Sequence, residues 1–196
     1  MTSIVYNKTL KEPLLDKAEA LRYAGAREGD EIAEALFDEC CARLLPTLSY
    51  RACYRIANID EPHVASMLKD SLKLREALSG CDSVIIFAAT VGIGPDRLMM
   101  SAKVTSPARA LLYQAIGAER VEALCDNLCR ELSSEMGAEL TRRFSPGYGD
   151  FELSWQKEIF ALLDCERQIG LTLGDSLLMS PTKSVTAIIG VKGGNA

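Results

Sequence analysis

Apolar residues recur along the chain with two periods, one typical of helices and one typical of strands. Helical spacing predicts helices over residues 13–24, from Asp30 to just before Pro46, over 64–78, from Ser106 to Met136 and over 155–166. Strand patterns predict short strands at residues 3–6, 48–56, 82–90, 171–173 and 185–191.

The strand predicted most strongly is 82–90, because Val84 to Ala89 are all apolar, as in a central strand covered on both faces. Gly92 and Gly94 follow it. A Gly-x-Gly after a strand also occurs in phosphate-binding loops, but Pro95 stands close to where the dinucleotide-binding motif needs a third glycine. The pattern therefore favours a structural turn.

The long helix begins with a suitable N-cap, Ser106, followed by Pro107, which is tolerated at a first helical position. Gly117 inside it predicts either a close-packing point or a kink. The helices are of uneven length and no β-α-β unit repeats, which favours an α+β fold over a doubly wound sheet. A chain of 196 residues fits one domain over 1–196, with 192–196 as a frayed tail.

Charge and hydropathy exclude several classes of partner. The net charge is −5 and no basic cluster is present, so neither nucleic acid nor an anionic membrane is an expected partner. Residues 1–13 carry charges and lack an apolar core of signal-peptide length. The run from Val84 to Ala89 is too short to span a membrane. We therefore expect a cytoplasmic protein.

The seven cysteines and the single histidine give no strong metal-binding pattern. Cys125 and Cys129 are four residues apart and share a helix face, but His63 stands alone in sequence. An odd number of cysteines without a signal peptide argues against a disulfide framework. Buried free thiols are the main interpretation, and a zinc or iron–sulfur site is the minor one.

No familiar catalytic signature is present: neither a Cys-His nor a Ser-His-Asp arrangement, and no P-loop. The residues therefore favour a binding module. The best candidate site is the turn Arg143-Phe144-Ser145-Pro146-Gly147-Tyr148 between two helical patterns. An arginine there can hold a carboxylate through two hydrogen bonds, and an aromatic side chain adds a flat apolar face. The alternative is a plain surface turn, with Arg143 as the charge at a helix end.

Two further motifs follow this turn and the helix after it. They are Ile169-Gly170-Leu171-Thr172-Leu173 and Met179-Ser180-Pro181-Thr182-Lys183-Ser184-Val185-Thr186. The ordered set resembles the activation domain of cobalamin-dependent methionine synthase, where an Arg-x-x-x-Gly-Tyr turn precedes Ile-Gly-hydrophobic-Leu-Thr and Met-x-Pro-x-x-Ser-Val-Ser segments. The resemblance is good from about Tyr113 to Val191 and weaker from Asp82 to Pro107.

This resemblance implies a twisted antiparallel sheet flanked by helices, in a domain that binds S-adenosylmethionine and offers its methyl group to cobalamin. In that family the oxidised cofactor, cob(II)alamin, is reduced by a one-electron donor and trapped by methylation. The chemistry belongs to the cofactors, and the protein supplies position and electrostatics. The chain would count as an enzyme only as part of a methionine synthase, a methyltransferase system of methionine biosynthesis.

The resemblance also implies roles for individual residues. Arg143 would bind the ligand at the methionyl carboxylate, Gly147 and Tyr148 would line the ligand, and Pro146 would fix the turn. Glu122, on the preceding helix, would pair with the α-ammonium or favour the sulfonium. Its alternative role is that of a solvated or ion-paired helix glutamate. Asp16 and Asp30 are the candidates for the family's N-terminal acidic ligand residue, without a clear match.

Two departures qualify the resemblance. The family's aromatic ligand contacts beyond the Ser-Val-Ser strand have no counterpart here, so binding of S-adenosylmethionine is expected to be weak, altered or complete only with a partner. No Asp-x-His-x-x-Gly corrinoid motif surrounds His63. Cobalamin would therefore be held by a partner, a methionine synthase or corrinoid protein lacking its own activation domain, with a flavodoxin- or ferredoxin-type electron donor.

Two alternative functions remain open at this point. The first is a non-enzymatic cap or scaffold for a corrinoid protein, which no longer binds S-adenosylmethionine. The second is an unrelated small-molecule sensor that uses the Arg143 turn. Ligand binding separates the first from the activation-domain hypothesis, and the identity of the partner separates the second.

Overall fold

The computed structural model describes residues 4–26 and 30–193, and a curled antiparallel sheet lies at its centre. The sheet has the strand order β1-β2-β3-β7-β4, and every neighbouring pair is antiparallel. A second, two-stranded ribbon joins β5 and β6. The strands are β1 Tyr6–Thr9, β2 Arg51–Asn58, β3 Ser83–Thr90, β4 Glu139–Leu140, β5 Thr172–Leu173, β6 Met179–Ser180 and β7 Ser184–Lys192.

Helices cover both faces of this sheet. The longest, α6, packs against one face, and α7 and α8 pack against the other together with α3 and α4. The helices are α1 Lys17–Tyr23, α2 Glu31–Leu44, α3 Pro62–Asp70, α4 Leu72–Ala77, α5 Gly94–Thr105, α6 Pro107–Met136, α7 Gln156–Leu163 and α8 Cys165–Ile169.

Strand β3 is the centre of the core because both of its faces are apolar. Ile85 and Phe87 point toward α6, whereas Ile86 and Ala88 point toward α7 and α8. All four are fully buried. The continuous apolar run in the sequence therefore marks a strand that is covered on both sides. The predicted α+β class and twisted antiparallel sheet are confirmed.

Two predicted helices are interrupted in the structure. The prediction over 64–78 becomes α3 and α4, because Ser71 leaves the helical conformation and its side chain caps α4 by accepting a hydrogen bond from the N–H of Leu74. The prediction over 155–166 ends early, because Asp164 adopts a left-handed conformation with φ +49°. Helix α8 starts directly after it.

The N-terminal segment is fixed to α6 by a buried arginine. Arg120 donates to the carbonyls of Pro13 and Leu14 at 2.8 and 2.7 Å, and Glu119 accepts from the N–H of Asp16 at 3.1 Å. Pro13, Leu14 and Asp16 therefore lie outside the helix, although the sequence predicted a helix over 13–24. Helix α1 begins only at Lys17, after the Asp16 cap. The strand predicted at 3–6 is displaced along the chain, because β1 spans Tyr6–Thr9 and shares only Tyr6 with the prediction; residues 1–3 lie outside the described residues.

Helix α5 was not predicted, and it begins at Gly94, the second glycine of the Gly-x-Gly motif. At Gly94 a side chain would collide with the backbone and side chain of Thr47, at 2.7 and 2.1 Å. At Gly117 a Cβ would lie 3.1 Å from Lys183 and 3.2 Å from Pro95. Of the two roles predicted for Gly117, close packing is therefore the one observed.

The predicted tail, residues 192–196, falls mostly outside the described residues. Lys192 is the last residue of β7, and 194–196 are not described. Within the described part of the chain, no helix is both long and apolar enough to cross a membrane.

Candidate functional site

The turn from Arg143 to Asp150 lies beside the outer edge of β7. Phe144 and Ile188 exchange two backbone hydrogen bonds of 2.9 Å, which extends the sheet by one isolated bridge beyond β4. The turn is therefore attached to β7, the strand that begins with the motif Ser184-Val185-Thr186. Two distant motifs of the sequence become neighbours through this pairing.

Glycine is required inside the turn for backbone reasons. Gly147 has φ +93°, and its N–H donates to the carbonyl of Phe151 at 2.7 Å. Gly149 has φ +60°, and a Cβ there would lie 2.5 Å from the side chain of Lys73. Side-chain-bearing residues rarely adopt such φ values. The turn therefore presents Tyr148, which is 70% exposed, toward solvent.

Asp150 anchors the end of the turn to α4. Its carboxylate accepts from the Ser71 hydroxyl at 2.5 Å and from the N–H of Leu72 at 2.9 Å, at the start of the helix. The hydrogen bond from Ser71 is the main cause that holds the pKa of Asp150 below its ordinary value, with the backbone N–H groups of Leu72 and Lys73 adding to it. The break between α3 and α4, at Ser71, is thus in direct contact with Asp150 of the turn.

Arg143 is tied to α6 by two carboxylates one helical turn apart. Its guanidinium donates to Asp126 at 2.5 Å and to Glu122 at 2.8 Å. The arginine side chain is largely buried, whereas both carboxylates are more exposed. The structure therefore shows Glu122 ion-paired with Arg143.

The guanidinium stays charged in this position. Burial works against its charge, and the hydrogen bond to the Asp126 carboxylate is among the causes that nevertheless hold the pKa of Arg143 above its ordinary value. Burial raises the pKa of the thiols of Cys125 and Cys129 beside it. They are neutral thiols next to a permanent cation.

A cavity of 420 Å³ opens between this turn, α6, α7 and β7. Four of the five residues predicted to bind S-adenosylmethionine line it, namely Arg143, Pro146, Tyr148 and Glu122. The fifth, Gly147, lies within the turn between Pro146 and Tyr148. The remaining lining residues are Phe144, Ser145, Gln156, Met179, Ser184, Val185 and Thr186.

Two polar residues of this cavity were missed from the sequence. Gln156, at the start of α7, is 5% exposed, and Thr186, in β7, is 2% exposed. Among the described residues, neither Gln156 Oε1 nor Thr186 Oγ1 has a hydrogen-bond partner, although both atoms are buried. Buried polar atoms normally find a partner, so these two mark a place where a ligand atom is expected.

A second cavity, of 670 Å³, lies on the other side of Glu122, which borders both. Carboxylates dominate its lining, among them Asp16, Glu19 and Glu119. Of the two N-terminal acidic candidates, Asp16 lines this second cavity. Asp30 instead caps α2 by accepting from the N–H of Ala33 at 3.0 Å.

The cysteines and His63, considered above as metal ligands, occupy positions that stabilise the fold. Six of the seven cysteines are buried, and Cys129 is half-buried. In the described ranges no group of three or more His, Cys, Asp or Glu side chains is arranged to hold a metal ion. His63 pairs with Glu158 through Nδ1 at 2.5 Å. Trp155 stacks near Phe151 in the core, with ring centroids 6.3 Å apart.

Comparison with known protein families identifies the chain. Residues 58–193 match the family described as vitamin B12 dependent methionine synthase, activation domain. The chain belongs to this family. The matched range contains the Arg143 turn, α6 and β7, and therefore all of the 420 Å³ cavity. No curated protein matches the sequence.

A solved structure extends the similarity of fold to nearly the whole chain. The structure described as the MetH reactivation domain bound to AdoHcy has a TM-score of 0.68 and 15% sequence identity, and the match covers 99% of this chain and 80% of that one. The N-terminal part before residue 58, with β1, α1 and α2, thus belongs to the same activation-domain fold.

We predict that Asp150→Asn loosens the turn and lowers the midpoint of denaturation at neutral pH. Because the pKa of Asp150 is depressed in the folded protein, its contribution is present above the ordinary value of 3.8 and lost as pH falls through the folded pKa. The difference between wild type and variant, measured by urea denaturation, should therefore shrink below pH 4. Asp175→Asn, at an exposed position, is the control, and a pH-independent difference would contradict this account.

Proposed function

We propose that this activation domain binds S-adenosylmethionine in the 420 Å³ cavity, with the methionyl carboxylate on Arg143. The observation that carries the proposal is a permanently charged, largely buried guanidinium that opens into a cavity with unpaired buried polar atoms. The volume lies within the range of small-molecule sites. The structural relative with AdoHcy bound shares this fold and supports the choice of ligand.

An α-amino acid head group suits the charges around the cavity. Its carboxylate can take the two N–H groups of Arg143 that donate to Asp126 and Glu122 in the structure. Glu122, which lines the cavity, is then free to accept from the α-ammonium. The ligand thus replaces the two ion pairs of Arg143 with two new ones, Arg143 with the carboxylate and Glu122 with the ammonium, and leaves Asp126, the more exposed carboxylate, in solvent.

The rim of the cavity is suited to a second, apolar surface. Tyr148 is 70% exposed and Leu153 is 41% exposed, and Leu178, next to the cavity residue Met179, is 72% exposed. Exposed apolar side chains on and next to the residues of a polar site are typical of a surface that a partner covers. This rim supports action in trans on a cobalamin held by a separate methionine synthase or corrinoid protein.

In this function the bound S-adenosylmethionine would supply the methyl group and be left as S-adenosylhomocysteine, and cobalamin on the partner, once it has gained one electron from a flavodoxin- or ferredoxin-type donor, would accept that group. The chain itself binds and orients. Arg143 and Glu122 hold the amino acid end, the turn sets its position against β7, and the apolar rim excludes water where the partner docks.

A scaffold that no longer binds S-adenosylmethionine is the alternative function. The ion pairs of Arg143 with α6 are the observation in its favour, because they satisfy the guanidinium without a ligand. Binding measurements decide between the two.

We predict that Arg143→Ala abolishes measurable binding of S-adenosylmethionine while the protein stays folded. Loss of a charge-assisted bidentate contact costs about 2–4 kcal/mol, equivalent to a loss of affinity of about 30-fold or more. Isothermal titration calorimetry measures it. Arg142→Ala, at the exposed neighbouring position, is the matched control and should bind like the wild type. If Arg143→Ala and Arg142→Ala bound S-adenosylmethionine with equal affinity, Arg143 would not be the residue that binds the carboxylate.

We also predict opposite effects for the two carboxylates of α6. Asp126→Asn removes a competitor for Arg143 and should tighten binding by about two- to fivefold, the range for an exposed ion pair. Glu122→Gln removes the partner of the ammonium and should weaken binding. The same calorimetric titration tests both variants. Weaker binding in both, or tighter binding in both, would contradict the assignment of separate roles.

Action in trans has its own test. A cobalamin-loaded methionine synthase that lacks an activation domain is mixed with this protein, an electron donor and S-adenosylmethionine, starting from cob(II)alamin. We expect methylcobalamin to appear in the visible spectrum, and Arg143→Ala to prevent it. Formation no faster than without the protein would contradict the proposal and favour the scaffold.

A further inference from the structure

Resting on the proposed function, we propose that Gln156 and Thr186 form a separate subsite that recognises the adenine base of the ligand. The subsite lies in the same cavity as Arg143 but belongs to other elements, the start of α7 and the edge of β7. Its role is distinct from that of Arg143, because it binds the nucleoside end and not the amino acid end.

The unpaired, buried Oε1 of Gln156 is the first observation behind this subsite. The side chain is 5% exposed, and no described residue hydrogen-bonds to its Oε1. A glutamine amide carries an acceptor and a donor side by side. Adenine presents the complementary pair, the exocyclic amine beside a ring nitrogen, and glutamine pairs with adenine in this bidentate manner.

The edge of β7 adds a second set of polar groups. Ile188 and Gly190 direct their backbone groups to the outer edge, where Phe144 and Thr141 bond to them. By the alternation of an antiparallel strand, Thr186 directs its N–H and C=O to that same edge. Among the described residues, β4 pairs with β7 only near the C-terminal end of β7, at Val191 and Lys192. Thr186 thus offers its backbone edge and a buried unpaired hydroxyl.

The walls of the cavity are suited to a flat ring. Pro146, Met179 and Val185 line it with apolar atoms, and Phe144 adds an aromatic side chain. A purine needs apolar contacts on its faces and hydrogen bonds along its edge, whereas a ribose is polar all round. The combination of apolar walls with the buried polar atoms of Gln156 and Thr186 therefore favours the base over the sugar.

Two ligands separate this subsite from the Arg143 site. S-adenosylhomocysteine carries both the nucleoside and the amino acid head, and methylthioadenosine carries the nucleoside without the head. Calorimetric titrations use both ligands with the wild type, Gln156→Met, Thr186→Val and Arg143→Ala. Gln114→Met, an exposed glutamine on α6, is the matched control. Thermal denaturation of each variant shows that it is folded.

We expect Gln156→Met to weaken both ligands by a similar factor, about tenfold, the discrimination of one bidentate amide contact. Thr186→Val should weaken both by a smaller factor, because one hydroxyl is lost. Arg143→Ala should weaken only S-adenosylhomocysteine and leave methylthioadenosine within about twofold. This pattern assigns the base to Gln156 and the head group to Arg143.

Two results would overturn the subsite while leaving the proposed function intact. One is wild-type affinity for both ligands in folded Gln156→Met and Thr186→Val. The other is S-adenosylhomocysteine binding by a wild type that does not bind methylthioadenosine. If the wild type binds neither ligand, the proposed function itself fails, and the subsite fails with it.

Discussion

The guanidinium of Arg143 is the point on which the candidate site depends, because it joins α6 to a turn that is itself fixed to two other segments distant in sequence. Helix α6 supplies Glu122 and Asp126 to it. The turn that carries Arg143 is paired with β7 through Phe144 and Ile188, and it is fixed to α4 through Asp150. The charge that attaches the turn to α6 is the same charge that would bind a ligand, so binding exchanges a structural contact for a functional one.

The site therefore combines a rigid frame with an exchangeable contact. Core strand β3 holds β7 in place, and the buried contacts of α6 hold the helix that carries the two carboxylates. The ion pairs of Arg143 are more exposed, and exposed ion pairs contribute little to stability. A ligand carboxylate can replace them at small cost to the fold. The frame thus keeps the cavity open while its charges remain available.

Sequence alone predicted what depends on local pattern. The apolar run of β3, the Ser106-Pro107 start of α6 and the Arg143 turn all have local signatures, and the structure has each of them. The division of 64–78 was missed because it depends on Ser71 meeting Asp150, which lies far away in sequence. Gln156 and Thr186 were missed because their importance lies in buried atoms without partners, a property of the assembled cavity. Helix α5 was missed because its Gly-x-Gly start favoured a turn.

The most direct test of the account is a crystal structure of the protein with S-adenosylhomocysteine. The account predicts the ligand carboxylate on both N–H groups of Arg143, with Asp126 released from the guanidinium and Glu122 turned to the α-ammonium. It also predicts the base against Gln156 and Thr186. A ligand bound elsewhere, with Arg143 still paired to Glu122 and Asp126, would contradict the central claim that this arginine is the carboxylate receptor.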